Sequence, residues 1–187
     1  MTLSIALIGM PGGGKSTVGR QLARRINASF VDTDAAIEKS LGCTISQFFA
    51  QHGEARFRDV EEAVLADTVA VNNSVIATGG GIVTRAANRT LLKDHSICVY
   101  LRSTPEELFR RLRHDTKRPL LQVADPLSKL RQLFAERDPL YREAAQFVIE
   151  TGRPSVPTLV NMILMQLELA GVIDASDVPS PIDAPPP

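Results

Sequence analysis

Residues 9–17 read GMPGGGKST. The spacing of Gly9, Gly14, Lys15 and Ser16 is that of a loop that wraps phosphate, with an apolar run before it and a helical pattern after it. Gly12, Gly13 and Gly14 let the backbone turn so that several N–H groups converge on phosphate oxygens. The helix expected from Lys15 adds its positive end. Lys15 is then placed to reach the β- and γ-phosphates, and the Ser16 hydroxyl to sit on Mg²⁺. A plain turn would explain the glycines but not a lysine and a hydroxyl at the helix start. Regulatory GTPases, transport ATPases and small-molecule kinases share such a loop. Motors and transport ATPases need more chain, and no NKxD-type guanine reader is present. A small kinase or a non-catalytic nucleotide module remains.

The acceptor side starts at VDTD. On an extended strand end Asp32 and Asp34 point the same way, two residues apart. Two carboxylates there repel unless a metal or a hydroxyl-bearing ligand separates their roles. Asp32, nearer the sheet, could hold Mg²⁺-bound water. Asp34, farther out, could accept an acceptor hydroxyl's hydrogen bond or proton, or simply cap the helix that begins there. Arg58 and Glu61 stand at i, i+3 on a helix. They form either a weak surface pair or a partly buried arginine, oriented by Glu61, whose fork meets a carboxylate. ATGGGIV (77–83) is a glycine loop after a strand, able to bring N–H groups close to a ligand or merely to turn. Arg110, Arg111, Arg113, Lys117 and Arg118 cluster before PLL, and Arg137 follows in AERDPLY. A helix, a polar break and a proline suit a lid that excludes water over phosphates. A solvated basic helix accounts equally for Arg110 and Arg113.

These groups need a scaffold. Short continuously apolar or β-branched strands are expected at 3–8, 29–32, 75–78, 96–101 and 147–150. Helical patterns lie between them: one places Val18, Leu22 and Ile26 on a single face, and two more are broken near Gly53. Thr104, Pro105 and Glu107 form a capping box opening 104–113, and a final apolar helix over 155–170 closes at Gly171. Such alternation predicts an α/β fold with a mainly parallel sheet covered on both faces and ligands at the C-terminal strand ends. The chain has 187 residues, 44% of them hydrophobic, enough for one core and too few for two ordinary domains. Lys plus Arg and Asp plus Glu number 21 each, so no global field recruits nucleic acid or an anionic membrane. The N-terminal apolar stretch is too short for a signal peptide or a membrane span. Cys43 and Cys98 show no pairing pattern, which fits two reduced thiols, Cys98 buried, in a cytoplasmic protein. The end of the chain has five prolines and no aromatic residue from Asp174 on, and a disordered proline-rich tail is expected over 173–187.

In order, GMPGGGKSTVG, DTD, IE, GE..FR..E, TGGG, RPLL and ER.PLY resemble the shikimate kinase family, over nearly the whole chain to about residue 170. The resemblance implies a three-layer α/β/α P-loop fold with a five-stranded parallel sheet, order 2-3-1-4-5. It implies one kinase domain over 1–172, with a substrate-binding helical region at about 33–62 and a lid at about 112–125. It implies ATP-dependent phosphorylation of the shikimate 3-hydroxyl by a monomer using Mg²⁺. Shikimate would be bound by Asp34, Arg58, Gly80, Gly81 and Arg137, the two arginines on its carboxylate. Gly12, Gly13, Gly14, Lys15, Ser16 and Thr17 would hold the ATP phosphates. Ser16 would ligate the metal, with Asp32 reaching it through water. Arg118 would be the lid arginine touching phosphate and substrate, and Lys15, Asp34 and Arg118 the catalytic group. Arg111 and Arg153 would lie at the adenine face, although the family usually runs differently around Arg153. A gluconate-type sugar-acid kinase is the neighbouring alternative, and a silent ATP-binding regulator the one from another class.

Overall fold

The computed structural model describes residues 4–113 and 123–174. Its sheet has five parallel strands in the order β2-β3-β1-β4-β5, as the resemblance implies. They are β1 (Ser4–Ile8), β2 (Ser29–Asp32), β3 (Ser74–Ala77), β4 (Ser96–Arg102) and β5 (Phe147–Glu150). Every residue of β1 and β3 is buried, which is why these strands read as continuous apolar runs rather than as alternation.

Side chains that alternate along β1 feed two cores. Ile5 and Leu7 pack with Val18 and Leu22 of α1 (Lys15–Arg25) and with Leu159 and Ile163 of α7 (Val156–Leu169). Ala6 and Ile8 face the other way. They join Leu65 of α3 (Ile45–Val69), Leu92 of α4 (Ala86–His95), Leu108 of α5 (Pro105–Leu112) and Leu130 of α6 (Pro126–Ala144). Each fully buried leucine contributes roughly 1.5–3 kcal/mol relative to exposure. The remaining helix, α2 (Thr33–Leu41), packs on α3.

Local signals place several of these elements. The capping box at Thr104 is present, with Glu107 returning to the Thr104 N–H at 2.8 Å. Gly53, at φ 78° and ψ 175°, kinks α3 where the break is expected. Two helices have no counterpart among the expected ones. α4 starts without a side-chain cap, and α6 carries Pro139 in its interior, a residue that ordinarily argues against helix. The expected tail also needs correction at its first residue. Gly171 turns the chain with φ +68°, and Ile173, 9% exposed, packs into the core under α7. Most of the expected lid, with Lys117 and Arg118, lies outside the described residues.

Candidate active site

The loop between β1 and α1 holds Gly12 at φ +79° and Gly14 at φ +86°, conformations L side chains rarely adopt. A Cβ on Gly12 would also meet the Leu112 side chain at 2.7 Å, so the C-terminal end of α5 rests on this loop. Within the turn, Gly13 N–H donates to the Met10 carbonyl at 3.2 Å. Lys15 is buried, and its Nζ donates to the carbonyls of Gly9 and Met10 at 2.9 Å each. Ser16 Oγ donates to Asp32 Oδ2 at 2.6 Å. The other Asp32 oxygen accepts from the N–H groups of Asp34 and Ala35. The helix cap is therefore Asp32, not Asp34. Asp34 stands in the first turn with its side chain released for other work. A cavity of about 320 Å³ opens over Gly12, Gly14, Lys15, Ser16, Thr17 and Asp32.

A second cavity, about 370 Å³, adjoins it and takes in Arg58, Glu61, Gly81 and Arg137. Asp34, Pro11, Gly79 and Gly80 line both. Asp34 thus stands where the two chambers meet. Burial, and then the Asp32 carboxylate, hold the Asp34 pKa above the ordinary aspartate value. Arg58 is partly buried, as one of the two expectations had it. Its side chain is 11% exposed, and Nη1 donates to Glu61 Oε2 at 2.7 Å, Glu61 being only 2% exposed. Burial raises the Glu61 pKa against the opposing pull of Arg58.

The glycine loop has no room for side chains. A Cβ on Gly79 would meet Asp34 Oδ1 at 2.7 Å, one on Gly80 would meet Pro11 at 2.5 Å, and one on Gly81 would strike the Arg58 guanidinium. The Gly79 N–H donates to Thr33 Oγ1 at 3.1 Å, and the Tyr141 hydroxyl donates to the Gly80 carbonyl. Next to Arg137, Asp138 accepts from Tyr100 Oη (2.8 Å), Arg102 Nε (3.1 Å) and Arg142 Nε (2.9 Å). This clamps α6 to the end of β4 and sets Arg137 over the cavity.

The Arg58–Glu61 pair carries a stability prediction. Removing Glu61 leaves the largely buried Arg58 guanidinium with only the exposed Glu54 carboxylate as its ion-pair partner, at a cost of about 3 kcal/mol. Glu61→Ala is expected to lose about that much in denaturant unfolding, and a loss below about 1 kcal/mol would mean that the pair behaves as a surface one.

Of the expected site residues, Gly13, Arg111 and Arg153 line neither chamber. Arg111 donates to the Thr151 carbonyl and to Ser103 Oγ (3.4 Å), and Arg153 is exposed in the loop after β5. Arg110 is exposed on α5 and Arg113 is exposed at its C-terminal cap. Pro11, Gly79, Phe49 and Phe57 line the chambers without having been singled out. For Gly79 a signal was present, since three successive glycines suggest that each is needed.

Residues 11–168 match the family profile described as shikimate kinase. The chain belongs to the shikimate kinase family. A shikimate kinase of Paracidovorax citrulli is 56% identical over 173 residues, covering 91% of this chain and 94% of that protein. The structure of a shikimate kinase from Acinetobacter baumannii in complex with shikimate superposes with a TM-score of 0.86 at 43% identity, covering 93% of this chain and 97% of that one. A gluconokinase from Sinorhizobium meliloti reaches only TM-score 0.54 at 18% identity, over 90% of this chain and 93% of that one. That likeness is one of fold alone. The two-chambered site therefore sits in a shikimate kinase scaffold. None of the described helices is long and apolar enough to cross a membrane.

Proposed function

We propose that the protein transfers the γ-phosphoryl group of ATP to the 3-hydroxyl of shikimate, giving shikimate 3-phosphate and ADP. The observation that carries this reading is the meeting of the two chambers at Asp34. One is walled by a phosphate-wrapping loop, the other by two arginines suited to a carboxylate. A phosphate donor and an anionic polyol placed in them would face each other across that side chain.

In this reading Arg58 and Arg137 bind the shikimate carboxylate, while the loop at Gly80 and Gly81 lies against its ring. Asp34 accepts the hydrogen bond of the reacting hydroxyl and takes its proton as the phosphoryl group transfers. Gly12, Gly13, Gly14, Ser16 and Thr17 surround the ATP phosphates, and Lys15 leaves the loop carbonyls for the β- and γ-oxygens. Arg118 adds its charge from the lid, and Arg111 and Arg153 line the adenine side. The family resemblance assigns those three roles. The residues fit Mg²⁺, since Ser16 Oγ donates its hydrogen bond to Asp32 and keeps lone pairs for a hard cation. Ser16 would ligate it, Asp32 would reach it through water, and when bound it would offset phosphate charge. The protein acts as a cytoplasmic monomer.

The test is ADP release by purified protein with Mg-ATP, comparing shikimate, gluconate and nucleoside monophosphates, with mass spectrometry of the product. Selective turnover of shikimate is expected. Turnover of gluconate instead would overturn the acceptor chamber, and ATP binding without turnover would point to a regulator.

A further inference from the structure

Beyond the Gly53 kink α3 resumes with Glu54 at its start. Glu54, Arg58 and Glu61 then follow at i, i+4 and i+7, so they share one face of the helix. The two carboxylates treat Arg58 differently. Nη1 meets Glu61, 2% exposed, at 2.7 Å, and Nη2 meets Glu54, 67% exposed, at 3.1 Å. Arg58 Nε is buried and has no hydrogen-bond partner. The same guanidinium packs against Gly81 and lines the acceptor chamber.

An incoming carboxylate needs guanidinium N–H groups. It cannot take those held by Glu61, because Glu61 would be left as a bare buried charge. Glu54 can give up its hold cheaply, since an exposed i,i+4 ion pair is worth only tenths of a kcal/mol and water receives the freed carboxylate.

We propose that Glu54 is a placeholder for the acceptor's carboxylate: it holds Arg58 Nη2 at 3.1 Å and is displaced when an anionic acceptor binds. Glu54 is then a specificity-determining residue. An anionic acceptor replaces one carboxylate with another, whereas an uncharged polyol leaves Glu54 in place. This rests on the reading of Arg58 as the partner of the shikimate carboxylate.

The test compares steady-state kinetics of wild type, Glu54→Gln, Asp59→Asn and Arg58→Ala. Asp59→Asn removes a carboxylate from the same helix that pairs with Arg56 and Arg85 rather than Arg58. The probes are shikimate and its methyl ester, the latter as substrate or competitive inhibitor. Glu54→Gln is expected to lower KM for shikimate about two- to threefold, the worth of an exposed pair, with KM for ATP and the affinity for the ester unchanged. Asp59→Asn should change none of these. An unchanged or higher KM in Glu54→Gln overturns the placeholder, as does an equal gain for the ester or in Asp59→Asn, which would reveal a general fold or field effect. Arg58→Ala separates the two levels. It should raise KM for shikimate whatever Glu54 does, and if it does not, the reading of Arg58 itself fails.

Discussion

Lys15→Met is expected to lower kcat for shikimate phosphorylation by about 10²–10³-fold, the usual loss when one preorganised charge aimed at a transition state is removed. Lys15 is buried at the base of the phosphate loop, with Nζ held by the carbonyls of Gly9 and Met10. In the phosphoryl-transfer reading this is a resting position. The ammonium must move from carbonyl oxygens to phosphate oxygens, which carry full charge and reward the move. Methionine keeps most of the stem's apolar contact and removes only the charge and its donors, so the loop should keep its shape. Rapid-quench measurement of the chemical step would check the loss, with urea unfolding as a control for the fold. A kcat within about threefold of wild type would show that phosphate charge is managed elsewhere, since a group of this kind is worth far more.

The sequence made the scaffold legible where local chemistry and burial agree. β1 is buried throughout and reads as an apolar run, and Thr104, Pro105 and Glu107 announce α5 because the cap forms from neighbours in the chain. α4 escaped because its start has no side-chain cap. α6 escaped because Pro139 breaks the helical pattern, yet Tyr141 and Asp138 tie that helix to the Gly80 carbonyl and to β4. Tertiary contacts override the local preference there. In the site, the phosphate loop was legible because its function is written in consecutive residues. The acceptor chamber was only partly so. VDTD suggested two carboxylates with separate roles, but which one caps α2 depends on the Asp32 side chain turning back onto Asp34 N–H. Whether Arg58 is buried depends on Gly81, twenty-three positions on, having no side chain to exclude it. No spacing rule carries that information.

The Asp34→Asn variant should move activity and stability in opposite directions. If Asp34 takes the acceptor's proton, kcat falls by about 10²-fold or more, the usual worth of a general base. Asparagine still accepts a hydrogen bond, so a kcat near wild type would reduce Asp34 to a positioning group, which a loose transition state permits. Stability follows from linkage. Burial and the Asp32 carboxylate raise the native pKa of Asp34 above its unfolded value of 3.8, so between those two values the native state binds the proton more tightly than the unfolded state does. The resulting stabilisation is complete below pH 3.8 and is lost as pH rises through the native pKa. Above that pKa the ionised carboxylate burdens the fold, and asparagine carries no such burden. Thermal melts of the ligand-free variant at pH 7 should therefore show a higher Tm than wild type, with the difference shrinking as pH is lowered toward 4. A variant less stable than wild type at pH 7 would mean that neighbouring charges compensate the Asp34 carboxylate in the protein by itself. A gain in Tm together with a collapse in kcat would identify a carboxylate kept against the stability of the fold for the chemistry it performs.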